Sequence, residues 1–275
     1  MNNCGFTDHR IAERSETINS IPEFFRTDYQ GTGFTFFSTS HLLALGVIAF
    51  LGISIYLFRH QLRQESWDLT GRYTLAFILL LQESLLNTWR LVNGTWSVAT
   101  SLPLHLCGAG VVLSIFMLIY RKYWIYEICY FWGLGGAIQA LFTPDIGQYG
   151  FPHFRFFHFF VSHGTLILAS LFMTFVYQYR PSHRSVWKIF LYTNVYMAFI
   201  AVFNALTGAN YLYICHKPAT GSILDFLGPW PWYILALEVV GIVAFYIYYS
   251  PFALSNLLRS SPGENGYRQY NRGDK

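Results

Sequence analysis

The sequence predicts an all-α fold: a polytopic seven-helix transmembrane bundle with its N-terminus outside and its C-terminus cytoplasmic. Three observations predict it. Of 275 residues, 53% are hydrophobic, 20% aromatic and only 12% charged, a composition too apolar for a soluble globule. The apolar residues gather in seven blocks of helix-spanning length, without the period-two alternation of a barrel strand. The positive charges favour one set of connecting loops. Lipid offers no partner to an unpaired backbone group, so blocks of this length must be helical.

The blocks lie near residues 38–58, 73–92, 103–120, 124–141, 158–177, 187–206 and 230–249, each close to the roughly 20 residues that cross a hydrocarbon core of about 30 Å. They leave a polar N-terminal tail, 1–37, and a C-terminal tail, 250–275. The N-terminal tail has no apolar core of its own and does not read as a signal peptide. Span three opens on L-P-L-H-L-C, Leu102 to Cys107, with Pro103 suited to the first helical position, where its missing N–H costs nothing. Arg121 and Lys122 make a very short basic turn, so spans three and four should form an antiparallel pair. Trp124, Trp187, Trp230 and Trp232 fall at span ends, where aromatic belts meet the membrane interface. No internal repeat is visible.

Orientation follows from charge. Segments 59–72, 121–123, 178–188 and 250–275 hold twelve of the eighteen Lys and Arg residues, and such an excess marks the cytoplasmic side. The remaining six are Arg90, Arg155, Lys217 and three arginines in the N-terminal tail, which also carries five acids. The net charge of +4 is too small and scattered for a nucleic-acid partner. The chain is expected in a membrane as a multi-pass protein, the plasma membrane if bacterial.

This topology collects polar groups at the outer end, where their cost at membrane depth marks functional residues. His105 and Cys107 start span three. His153, His158 and His163 lie before and within the outer half of span five. A helix N-terminus favours a thiolate, so Cys107 suits a nucleophile with a histidine as base. Equally, Cys107 suits a small buried hydrophobe beside a hydrogen-bonded His105. The three histidines resemble a metal cluster, but five-residue steps turn about 140° each on a helix, whereas a zinc pair wants i, i+4. No metal or cofactor is expected. His163, followed by Gly164, should face the bundle interior; His158 fits an interfacial belt with Phe156, Phe157, Phe159 and Phe160.

Glu83, Asn87 and Arg90 form one stripe of span two at i, i+4 and i+7. They fit either a polar network that holds the bundle, extended by Asn204 and Glu238, or a site for an anionic head group. The loop from Thr207 to Trp232 is long, aromatic and punctuated by Gly and Pro, which reads as a lid over the vestibule. Within it Asn210 is a supporting residue, and Lys217 and Asp225 either pair or contact a phosphate. A Cys107–Cys215 disulfide in an oxidising compartment would abolish thiol chemistry, and spacing alone leaves that rival open. Cys129 should be a packing residue. The sequon Asn93-Gly94-Thr95 lies too near the membrane to favour glycosylation.

Three motifs together resemble the YwaF-like family of integral membrane proteins, itself similar to the vertebrate transmembrane protein 164. They are L-P-L-H-L-C, the stretch F-P-H-F-R-F-F-H-F-F-V-S-H-G that opens span five, and T-G-A-N-Y-L-Y…K-P…G-S-I-L-D-F-L-G-P-W-P-W. The resemblance covers about residues 35–250. It implies a cysteine-dependent acyltransferase that moves fatty acyl chains between membrane phospholipids, using a Cys and a His. By motif Cys107 answers to that cysteine and His163 to the histidine, with His158 the competitor. Arg90 or Lys217 would hold the lipid phosphate.

A transporter, a small-ligand binder or a purely structural bundle would use the same helices. Against a retinal protein, span seven holds no lysine. Against an inverted-repeat transporter, no two spans share matched central breaks. Against the large seven-helix receptor class, span three lacks a charged triplet at its inner end and span seven lacks an Asn-Pro pair.

Overall fold

In the computed structural model, which describes residues 21–217 and 223–259, every apolar block folds as a helix. These are α1 (Thr39–Leu57), α2 (Glu65–Val92), α3 (Leu106–Tyr120), α4 (Tyr123–Phe142), α5 (Phe154–Phe175), α6 (His183–Thr207) and α7 (Trp232–Arg259), with short 3-10 turns between them and no strand among the described residues. Local chemistry sets several ends. The Ser38 hydroxyl accepts from His41 N at the start of α1. Glu65 and Asp68 place negative charge in the first turn of α2, where the helix dipole favours it. Ser182 and Ser185 form a capping box on α6, and Gly208 closes it in the left-handed region at φ 71°.

The expected α3–α4 hairpin is present. Arg121 turns left-handed at φ 54° and Lys122 caps the next helix, so two residues reverse the chain. Several ends differ from expectation, and α5 and α6 each begin four residues early. α2 begins eight residues early and α7 runs ten residues beyond position 249, through Pro251. α3 begins at Leu106, three residues after the predicted span.

Five helices, α1, α2, α5, α6 and α7, are long and apolar enough to cross a membrane, so the chain is a multi-pass membrane protein. The other two are the hairpin helices α3 and α4. α3 has 15 residues, about 22 Å at 1.5 Å per residue, shorter than the usual hydrocarbon thickness. α4 buries twelve of its twenty residues and packs on α3, α5, α6 and α7. α1 shows the opposite pattern, with only His41 and Gly52 buried. A helix apolar all round, lying at the edge of such a bundle, turns most of its surface to lipid.

The core joins Leu118, Tyr126, Phe131, Leu166, Phe172 and Ile189, all fully buried. At one end of the bundle Arg72 pairs with Asp68 at 3.1 Å and donates to Leu118 O, while Tyr177 OH donates to Asp68. Lys188 pairs with buried Glu127 nearby. At the other end residues 23–34 are docked rather than a detached tail. Trp89 Nε1 and Asn93 Nδ2 donate to Phe25 O, and Phe34 N donates to Gly147 O.

Candidate functional site

His105 is the N-cap of α3 and Cys107 its second residue. Gly108 permits the late start: a Cβ there would stand 2.9 Å from Pro103 Cα, so the chain before the helix folds back against its first turn. At this position the amides of Leu106, Cys107 and Gly108 have no intrahelical acceptor. They point out of the helix start, as donors for an oxyanion must.

The Cys107 sulfur is packed inward, not turned to lipid. A Cβ on Gly136 of α4 would lie 2.7 Å from Sγ, so only glycine leaves the thiol its space. The same helices fix the depth of His163. Leu166 of α5 lies 3.8 Å from the Cβ position of Gly110 in α3, and its carbonyl lies 3.9 Å from that of Gly133 in α4. α3 and α5 flank one hairpin helix and run parallel, so the residues three positions earlier, Cys107 and His163, share a level (one helical turn). Gly136, one turn along antiparallel α4 from Gly133, opens space at that level.

His163 is held in one tautomer. Its Nδ1 lies 2.8 Å from Phe159 O; a carbonyl only accepts, so Nδ1 carries the proton and Nε2 presents a lone pair. Its ring also packs on Phe159, with centroids 4.3 Å apart. His158 differs. Both its ring nitrogens are buried without a hydrogen-bond partner, and its ring packs on Phe154. His153 is structural. Its Nε2 donates to Arg26 O at 2.8 Å and its Nδ1 accepts from Arg155 N at 3.0 Å. Burial, the larger effect, and the neighbouring Arg155 charge hold its imidazole below the ordinary value, against the pull of the Arg26 bond. Among the described residues no group of three His, Cys, Asp or Glu could hold a metal ion.

The stripe on α2 divides. Asn87 Nδ2 donates to Glu83 Oε1 at 3.1 Å, and Trp96 Nε1 donates to Asn87 Oδ1 at 3.2 Å. Arg90 Nη1 donates instead to Ser101 O at 3.0 Å and feels Glu83 only through space. Glu238 and Asn204 do not extend this network as expected. Asn194 Nδ2 donates to Glu238 across α6 and α7, while Asn204 clamps both backbone groups of Tyr211.

The loop after α6 covers the start of α3. Tyr211 OH donates to Val98 O at 2.7 Å and accepts from Leu102 N at 2.9 Å. Leu212 and Tyr213 both adopt left-handed φ, 60° and 53°, a conformation that needs support from its surroundings. It brings Leu212 N to 3.4 Å from His105 Nδ1, with Tyr211 and Tyr213 against the His105 ring. Asn210 organises the loop itself: its Oδ1 accepts from Cys215 N and His216 N. Lys217 lies over the Tyr233 ring at 5.6 Å, and Asp225 is exposed in the turn Ile223–Leu227.

Cys107 and Cys215 are both free thiols, so the disulfide that would have silenced Cys107 is not formed. Cys4 lies outside the described residues. Cys129 is buried in the core. The sequon asparagine is unavailable, since Asn93 is buried and its Nδ2 donates to Phe25 O and Trp89 O.

Arg155 is the residue that charge counting alone passed over. It stands one turn before His158 on α5, its guanidinium 5.7 Å over the Trp89 ring. The available signal was its position as the lone charge in F-P-H-F-R-F-F-H-F-F.

The TMEM164 family model matches residues 36–249. No curated protein and no solved structure matches the chain.

Proposed function

The chain belongs to the TMEM164 family, and on that footing we propose that it is a thiol-dependent acyltransferase acting on phospholipid acyl chains at a membrane interface. The observation that carries this reading is the shared level of Cys107 and His163 beside Gly136, with His163 Nδ1 tied to Phe159 O. A base needs a free lone pair and a fixed ring, and that tautomer supplies both.

In the proposed reaction Cys107 Sγ attacks an ester carbonyl of the donor lipid and its proton passes to His163 Nε2. The oxyanion is met by amides at the start of α3. The C–O bond breaks, His163 returns the proton to the departing lysolipid hydroxyl, and the acyl group remains on sulfur as a thioester. A second lysolipid hydroxyl, deprotonated by His163, then attacks the thioester, and the thiol is regenerated. His105 seats the covering loop, Asn210 shapes it, and Glu83 and Asn87 fix the end of α2; these residues support the site rather than react in it.

The test is lipid mass spectrometry of purified protein reconstituted with a donor phospholipid and an isotope-labelled lysophospholipid. Wild type should move label into diacyl lipid, and Cys107→Ala should not. A hydroxylamine-labile acyl group should accumulate on Cys107 when the acceptor is omitted. Equal exchange by Cys107→Ala would remove the reading.

A second reading, a small-ligand binder without catalysis, draws on an apolar groove of about 1400 Å³ between α1, α2 and α5, lined by Val47, Ile48, Leu51, Phe160, Gly164 and Leu168 among others. It predicts a Cys107 that iodoacetamide leaves unmodified at neutral pH, whereas the enzyme predicts a reactive one.

A further inference from the structure

Three basic side chains meet where α2 and α5 approach the start of α3. Arg90 and Trp89 are neighbours on α2; Arg155 lies over Trp89, and His158 follows one turn deeper on α5. Arg155 and His158 each feel the charge of Arg90, and His158 that of Arg155. Among the described residues the Arg155 guanidinium forms no ion pair within 4 Å and no hydrogen bond. Arg90 makes a single bond, to Ser101 O. Glu83 and Asp145 act on Arg155 from a distance, and Glu83 is already engaged by Asn87. Like charges that feel each other repel unless an anion lies between them.

His158 points to the same ligand independently. Both ring nitrogens are buried and unbonded, a costly state for polar atoms away from water. One N–H of a neutral imidazole could repay that cost by donating to an anion. Arginine forks match phosphate oxygens in bidentate fashion. Depth also fits: by the helical rise, His158 and Arg155 stand roughly 8 and 12 Å from His163 along α5, a separation a glycerophosphate arm can bridge.

We infer that Arg155, Arg90 and His158 form a binding site for the phosphate of a phospholipid, holding the lipid so that its ester carbonyl falls toward Cys107. This deepens the acyltransferase reading and takes its substrate class from it. The site itself is tested by binding, independently of turnover.

The full chain in detergent is titrated with dioctanoyl phosphatidic acid, dioctanoylglycerol and inorganic phosphate, with occupancy read by native mass spectrometry. Wild type should bind the phosphatidic acid, and Arg155→Gln should weaken it at least ten-fold. His158→Gln should weaken it several-fold, and Arg184→Gln, an exposed cation at the start of α6, should leave it unchanged. Dioctanoylglycerol should not compete. Wild-type affinity in a folded Arg155→Gln protein would overturn the inference, as would full competition by equimolar inorganic phosphate. Should Arg155→Gln not fold, Arg155→Lys keeps the charge and loses the fork; a several-fold loss is expected, and undiminished affinity overturns the site. Cys107→Ala should bind as wild type. If it does while wild type transfers no acyl group, the acyltransferase reading falls and the phosphate site stands.

Discussion

The Cys107 sulfur occupies the space that a side chain on Gly136 would fill, 2.7 Å from the Cβ position. That makes Gly136 a gauge of whether the thiol's placement matters. Gly136→Ala should push Sγ away from the level it shares with His163. Forcing a methyl into a packed interior costs about 1–3 kcal/mol, and acyl exchange should fall by more than stability explains. Gly135→Ala is the control: its Cβ would meet Tyr248 at 3.6 Å, an ordinary contact. Paired melting curves and lipid exchange rates decide. Equal exchange in both variants would show that the thiol's position is unimportant.

His163 and His158 are separable by their hydrogen bonds. If His163 is the base, His163→Gln should reduce exchange by about 10²–10⁴-fold, the usual range for a positioned general base, and should suppress iodoacetamide labelling of Cys107. His158→Gln should raise the lipid concentration needed for half-maximal rate while leaving thiol labelling near wild type. The reverse pattern would exchange the two roles.

Sequence pattern made the helices and the candidate pair visible because hydropathy and motif are local properties. The start of α3 was misplaced because Pro103 suits a first helical position, and the fold-back against Gly108 depends on a contact no local rule contains. His153 resembled the other two histidines because its partner is the backbone carbonyl of Arg26, and a carbonyl carries no residue signature. The docking of residues 23–34 was hidden for the same reason: Phe25, Arg26 and Thr27 are held through their carbonyls. Glu238 and Asn204 could not be assigned to a network from span membership, because helix rotation decides which helix an interior polar group meets.

Tyr211 ties the covering loop to the segment before α3 through one hydroxyl that both donates and accepts. Tyr211→Phe keeps the buried ring but orphans the Leu102 amide, at a cost of about 1–3 kcal/mol. The loop should loosen over His105 more than the bundle melts. Faster hydrogen exchange at residues 98–105 and 209–217, with α4 amides unchanged, is the expected result. Uniform acceleration across the chain would mean that the loop is not a separate unit.

His153 gives the docked N-terminal segment a dependence on pH. Its folded imidazole titrates below the ordinary value near 6.5, chiefly through burial. The docked state therefore binds fewer protons than the undocked state in acid, and docking weakens as pH falls. Its contribution is complete above the unfolded pKa, declines as pH drops past it, and is lost once pH passes below the folded value. Proteolysis within residues 21–34 should be slow at pH 7.5 and faster at pH 5. His153→Gln removes the titrating group, so its rate of cleavage should be raised at both pH values and nearly independent of pH, apart from the protease's own response measured on an unfolded peptide. A wild-type segment equally protected at both values would show that the bond to Arg26 O does not govern docking.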